Sequence, residues 1–110
     1  MQSTSLDALR DALRAFAAER DWEQFHSPKN LAMALSVESA ELLEVFQWLT
    51  EAESRALAPA AHAAAADEIA DVLLYLVRLA DALGIDPLAA AERKMRANAQ
   101  KYPADKARGT

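Results

Sequence analysis

The segment VESAELLEVFQW at residues 37–48 decides the fold, because it carries Glu38 and Glu41 three positions apart. A second segment, DEIADVLLY, carries Glu68 and Asp71 at the same spacing. Residues at positions i and i+3 of a helix lie on nearly the same face. Two such helices packed side by side would therefore direct four carboxylates toward one place.

The position of Glu38 distinguishes this pattern from an ordinary solvated helix face. At about 100° per residue, the apolar residues of this helix form one stripe: Leu31, Leu35, Leu42, Val45 and Leu49. Glu38 falls inside the stripe, Glu41 lies at its edge, and Glu44 points away. A carboxylate in an apolar face is costly to ionise and needs a cation, a base or a proton beside it. Four oxygen ligands without cysteine suit a hard divalent ion such as Mg²⁺.

Composition limits the class of protein. The chain has 110 residues, which indicates one domain over residues 1–110, and its abundant alanine with only two glycines predicts an all-α fold. A net charge of −5 argues against nucleic acid as a partner. The N-terminus does not resemble a signal peptide and no apolar run approaches membrane-spanning length. We therefore expect a cytoplasmic protein with no membrane partner.

Caps and breaks predict a four-helix protomer with its core at about residues 5–103 and a disordered tail at 104–110. The expected helices run from Ser5 to near Arg20, from Pro28 to Thr50 or Glu53, from about Ala61 to Leu83 with Gly84 as the stop, and from Pro87 to Pro103. The third helix is apolar around most of its circumference, so we expect another subunit to cover it.

Three further features allow more than one interpretation. A di-iron bundle would need two Glu-x-x-His pairs, and the sequence has only one, Glu23-x-x-His26, which lies in the connector. The connector at residues 22–26 holds two aromatic residues and His26, which either close the end of the bundle or line a pocket. The basic face of the fourth helix, around Lys94 and Asn98, is either a wet surface or a phosphate site.

These residues resemble the MazG-like all-α nucleoside triphosphate pyrophosphohydrolases, in the branch of the dCTP pyrophosphatases. The resemblance covers about residues 6–103 and rests on the two acid pairs and their flanks. The similar segments are RDWEQFH at 20–26, FQW at 46–48, DVLLYLV at 71–77, and Lys94-Met95 with Asn98 and Tyr102-Pro103.

The resemblance implies cleavage of a nucleoside triphosphate, such as dCTP or a modified dCTP, to the monophosphate and pyrophosphate. It implies Mg²⁺ as cofactor, with Mn²⁺ able to substitute, and a homotetramer built as a dimer of dimers. The matching metal ligands are Glu38, Glu41, Glu68 and Asp71. The matching substrate-binding residues are Trp22, His26, Trp48, Tyr75, Lys94 and Asn98.

The chain departs from the family pattern at three positions. Val37 and Ala40 stand where glycines often precede the two glutamates, and Leu13 replaces a histidine of the dCTP branch. We expect these departures to leave the metal site intact, and they leave the base preference open. The alternative functions are hydrolysis of other non-standard triphosphates and a non-enzymatic helical interaction module. In the enzyme, Glu41 is the candidate for orienting or deprotonating the attacking water.

Overall fold

The computed structural model of the protein describes residues 5–108, apart from the side chain of Ala107. Within this part the fold is all-α, as predicted. A 3₁₀ turn, Trp22–Phe25, connects the first two of six α-helices: α1 Leu6–Glu19, α2 Pro28–Phe46, α3 Glu51–Arg55, α4 Pro59–Ala82, α5 Pro87–Lys101 and α6 Ala104–Ala107. The predicted count of four is therefore too low by two short helices.

The predicted helix starts use the side-chain caps that the sequence indicates. The hydroxyl of Ser5 accepts a hydrogen bond from the backbone N–H of Ala8 at 3.1 Å. The hydroxyl of Ser27 caps α2 in the same way, and the carboxylate of Asp86 caps α5. After α4, Gly84 has φ +67°, a left-handed conformation that favours glycine and ends the helix.

The second predicted helix is in fact two helices. α2 ends at Phe46, and a new helix begins after Thr50. Thr50 Oγ1 accepts from the N–H of Glu53 at 3.1 Å, while Glu53 Oε1 accepts from the N–H of Thr50 at 2.9 Å. This reciprocal capping box satisfies free backbone groups and makes a new helix start favourable. The prediction of one helix to Thr50 or Glu53 was therefore wrong.

The predicted tail also differs. The structure describes the short helix α6 within residues 104–110, the segment expected to be disordered, while residues 109 and 110 lie outside the described part. Pro103 precedes α6 at its N-cap position. Proline cannot continue the previous helix, so α5 and α6 remain separate.

The core is small for the length of the chain. α4 packs along α2 and also against α1, and the buried apolar side chains are Ala17, Leu31, Ala65, Val77 and Ala80. The radius of gyration is 17.1 Å, whereas a compact domain of this length has about 13 Å. The protomer is therefore extended.

α4 leaves large apolar side chains exposed to solvent. Those on this helix are Ile69, Leu73 and Leu76, with Leu83 at its C-cap. Such a face on a single chain usually marks a contact surface. Among the described helices, none is long and apolar enough to cross a membrane.

Candidate metal centre and adjoining cavity

The packing of α2 against α4 brings three of the predicted acids together. Glu38 and Glu41 project from α2, and Glu68 projects from α4. Each offers a carboxylate oxygen, and these three oxygens all lie within 4.8 Å of one another. All three side chains are half-buried. We call this set the acid cluster.

Proximity and burial disfavour ionisation of the acid cluster. The pKa of Glu38 is raised above 4.5. The largest cause is burial, followed by a hydrogen bond with Glu41 and by the charge of Glu41. The pKa of Glu68 is also raised, first by burial and then by the charges of Glu41 and Asp71. Like-charged carboxylates that share a site must bind a proton or a cation.

Two oxygens of the acid cluster lack hydrogen-bond partners. Oε2 of Glu38 and Oε2 of Glu68 are both buried and unpaired among the described residues. Buried polar atoms in native structures are nearly always satisfied. A hard divalent cation would satisfy both oxygens and relieve the repulsion, so these residues fit a metal ion.

Asp71 lies beside the acid cluster but outside the three-residue group. Its charge contributes to the raised pKa of both Glu38 and Glu68. The structure therefore groups three of the four predicted metal ligands and places Asp71 within electrostatic reach of them. Asp71 also lines a neighbouring cavity, which connects the two features.

The neighbouring cavity has a volume of about 190 Å³. It is lined by Leu13, Phe16 and Ala17 of α1, by Trp22 and His26 of the connector, and by Asp71, Leu74, Tyr75 and Arg78 of α4. The rings of Phe16 and Trp22 contact edge to face at 5.5 Å between centroids. The predicted pocket residues Trp22, His26 and Tyr75 thus line the same cavity. Of the two interpretations of the connector, the structure supports the one in which it lines a pocket.

Three other predicted substrate-binding residues lie elsewhere on the protomer. Trp48 follows α2 and is 87% exposed. Lys94 and Asn98 lie exposed on α5. None of the three lines the cavity or belongs to the acid cluster in the described chain. A single protomer therefore does not bring these residues to the site.

Arg78 is the site residue that sequence reasoning missed. It lines the cavity, its side chain is only 13% exposed, and its Nη2 lies 3.1 Å from Nδ1 of His26. A signal was present, because Asp71 and Arg78 are the only charged residues between Ile69 and Ala80. A cation in so apolar a segment needs a specific partner.

The position of Leu13 is also informative. This residue, which was expected to depart from the pattern of the dCTP branch, lies in the cavity wall. Its apolar side chain adds no hydrogen bond there. Leu13 therefore belongs to the cavity wall and not to the acid cluster.

Comparison with protein families shows which family the chain belongs to. The model of the MazG-like family matches residues 33–110, most of the chain, including both acid pairs. The chain belongs to the MazG-like family. Membership agrees with the all-α fold and with the placement of the acids on two packed helices.

Individual relatives of this MazG-like chain extend the comparison. It is 46% identical over 108 residues to dCTP pyrophosphatase 1 of Rattus norvegicus and 45% identical to that of Homo sapiens. The alignments cover 96% of this chain and 64% of each relative, so the chain spans less than two thirds of their length. The crystal structure of a pyrophosphatase from Archaeoglobus fulgidus superposes with a TM-score of 0.85 at 42% identity, covering 94% of this chain and 96% of that one.

Proposed function

We propose that the protein is a Mg²⁺-dependent nucleotide pyrophosphohydrolase that cleaves a nucleoside triphosphate to the monophosphate and pyrophosphate. The observation that carries the proposal is the junction between the acid cluster and the aromatic cavity. Asp71 lines the cavity and interacts electrostatically with Glu38 and Glu68. A nucleotide needs both features, because its base favours an aromatic pocket and its phosphates need a cation.

The relatives support a substrate of the dCTP class. The rat and human relatives are dCTP pyrophosphatases by name, and the archaeal structure is that of a pyrophosphatase. The preferred substrate in our proposal is dCTP or a modified dCTP. We place the protein in the cytoplasm, where nucleotide pools are found, and assign it no nucleic-acid or membrane partner.

Glu38, Glu41 and Glu68 would hold the metal, with Asp71 as a fourth ligand. Mg²⁺ is the ion we propose because all donors are carboxylates, and Mn²⁺ would be able to substitute. When bound, the ion neutralises phosphate charge and lowers the pKa of bound water. Glu41 is the residue that we assign to orienting or deprotonating the attacking water.

The cavity would hold the base next to the metal centre. Trp22 and Tyr75 provide aromatic surfaces, and stacking on such surfaces binds bases with little dependence on sequence. Asp71 lies at the side of the acid cluster, so the sugar and phosphates would extend in that direction. The cavity excludes water from one side of the substrate.

The complete site would require more than one protomer. We propose a homotetramer, a dimer of dimers, in which Trp48, Lys94 and Asn98 approach the cavity of a neighbouring chain. The exposed apolar face of α4 and the extended shape of the protomer support association. Lys94 would then contact phosphate and Asn98 the sugar side.

Leu13 favours a second candidate substrate class. An apolar side chain in the cavity wall removes a polar contact that the dCTP branch would have there. Hydrolysis of other non-standard triphosphates is therefore the alternative within the same chemistry. Relative kcat/KM values distinguish the two classes.

A panel of canonical and modified nucleoside triphosphates tests the proposal through pyrophosphate release. We expect release with Mg²⁺, none with EDTA, and the highest kcat/KM for a cytosine deoxynucleotide. Glu44→Gln is the matched control for Glu41→Gln, because Glu44 is exposed on the same helix and lies outside the acid cluster. A non-enzymatic interaction module would release no pyrophosphate from any member of the panel.

A further inference from the structure

Arg78 occupies a defined position between two partners at the cavity wall. Its Nη1 lies 3.7 Å from Oδ2 of Asp81, and its Nη2 lies 3.1 Å from Nδ1 of His26. Asp81 in turn accepts hydrogen bonds from Nε of Arg14 at 2.7 Å and from Nη2 of the same residue. The Nε atom of Arg78 is buried without a partner among the described residues, so its two Nη atoms provide these polar contacts.

The chemistry of the guanidinium group determines the direction of the contact with His26. Arginine has only donors, so Arg78 donates and Nδ1 of His26 accepts. A neutral imidazole that accepts at Nδ1 carries its proton on Nε2. Protonation of Nδ1 would remove the hydrogen bond and place two cations side by side.

The charge environment favours the neutral ring as well. The pKa of His26 is lowered below 6.5 by burial and then by the charge of Arg78, while the charge of Glu23 opposes this effect. Asp81 is an acid beside Arg78. The pKa of Asp81 is lowered chiefly by the hydrogen bond from Arg14. The negative charge of Asp81 is therefore paired with the guanidinium groups of Arg14 and Arg78.

We propose that Arg78 is a positioning residue that holds His26 as the neutral Nε2–H tautomer, giving the cavity a fixed donor for an acceptor on the nucleobase. The ring carbonyl oxygen of a pyrimidine is such an acceptor. This inference rests on the proposed function and adds to it, because it specifies how the base is recognised. It assigns a base-recognition role to His26, whereas Arg78 acts through His26.

Nuclear magnetic resonance tests the tautomer without reference to activity. The chain has two histidines, and His62 is exposed, so His62→Gln leaves His26 as the only imidazole. Long-range ¹⁵N–¹H correlation of that ring should show a neutral Nε2–H tautomer, and its Nε2 signal should shift when dCMP and Mg²⁺ are added. Observation of the Nδ1–H form, or an Nε2 signal that does not shift when dCMP is added, would overturn the inference.

A second variant tests the role of Arg78 in holding the tautomer. Arg78→Met in the His62→Gln background removes the donor, and the imidazole should then populate both tautomers. An unchanged tautomer in the folded variant would show that Arg78 does not determine it. Circular dichroism establishes whether the variant is folded. If it is not folded, the His62→Gln protein, which retains Arg78, still tests which tautomer is present.

A double-mutant cycle tests the same relationship in catalysis. His26→Phe, which keeps a ring but has no donor, should raise KM by about tenfold, the cost of one lost hydrogen bond. Arg78→Met should raise KM by a smaller factor, because part of the imidazole keeps the Nε2–H form. Both variants should change kcat by less than about twofold. The double variant should match His26→Phe alone, because Arg78 acts through the imidazole. Arg55→Met, which removes an exposed arginine that does not line the cavity, is the control.

The outcomes separate this inference from the proposed function. Additive KM effects, or an unchanged KM in His26→Phe, would contradict the positioning role even in an active hydrolase. Absence of pyrophosphate release from every triphosphate would contradict the proposed function. In that case the tautomer and its response to dCMP still decide whether Arg78 positions His26.

Discussion

Carboxylate oxygens of Glu38 on α2 and Glu68 on α4 lie within 4.8 Å of each other, and in each residue Oε2 is buried without a hydrogen-bond partner among residues 5–108. The packing of two helices thus places like charges together at a partly buried site. This arrangement is unfavourable without a counter-charge and suits a divalent ion. The proposed chemistry depends on this pair.

Replacing Glu38 by glutamine should abolish most turnover while the fold remains. Even outer-shell partners of metal ligands contribute about 10- to 100-fold, so loss of a direct ligand should lower kcat/KM by more than about 100-fold. Pyrophosphate release measures the effect, with Glu44→Gln as the control. Near-normal turnover of Glu38→Gln, or of Asp71→Asn, would show that the metal site is assigned wrongly.

The contribution of the acid cluster to the stability of the metal-free protein should fall as pH rises. Because the pKa values of Glu38 and Glu68 are raised in the folded chain, the folded state binds protons more tightly than the unfolded state. Their contribution is therefore most favourable below the unfolded pKa and is lost as pH rises through the folded pKa. Thermal unfolding in EDTA measures this effect.

Glu38→Gln provides the matched comparison for the pH effect. The difference in unfolding temperature, taken as variant minus wild type, should become more positive between about pH 4 and about pH 7.5. The reason is that the variant lacks the carboxylate that repels its neighbours. The comparison removes the opposing contributions of Asp81, Glu53 and His26, whose pKa values are lowered. A constant difference across this range would contradict the repulsion.

Removing the aromatic wall should weaken substrate binding more than it affects chemistry. Trp22→Ala should raise KM by about tenfold or more, since base stacking on an aromatic ring contributes about 1–3 kcal/mol. Phe25→Ala is the control, because Phe25 belongs to the same 3₁₀ turn but does not line the cavity. Equal KM values for the two variants would argue against a base site in this cavity.

Assembly should depend on the exposed face of α4. Leu76 is 44% exposed in the protomer, and Leu76→Asp should prevent association and also lower turnover. Light scattering should give a tetramer for the wild type and a smaller species for the variant. A wild-type mass near the 12.0 kDa of one chain, or an active monomeric variant, would contradict the proposed coupling of assembly and catalysis.

The part of the acid cluster on α2 could be predicted because its geometry is local. The spacing of Glu38 and Glu41 places both on one helix face, and the apolar stripe identifies the face that meets the next helix. The break after Phe46 was also marked in the sequence, since Thr50 and Glu53 form a capping box, but the apolar period continued through it to Leu49.

Other features depend on contacts between distant segments. The contact between Arg78 and His26 joins α4 to the connector, and no helical period specifies it. Lys94 lies on a helix whose existence was predicted correctly, yet its distance from the acid cluster depends on how α5 packs. Sequence periodicity predicts faces of helices, whereas cross-element contacts require the three-dimensional arrangement.

The most direct test of the central claim is to identify the products of dCTP by ³¹P nuclear magnetic resonance. With Mg²⁺, we predict that dCTP is converted to dCMP and pyrophosphate by the wild type and by Glu44→Gln. Glu68→Gln and the wild type in EDTA should leave it intact. Unchanged dCTP with Mg²⁺, or its conversion to dCDP and phosphate, would contradict the account.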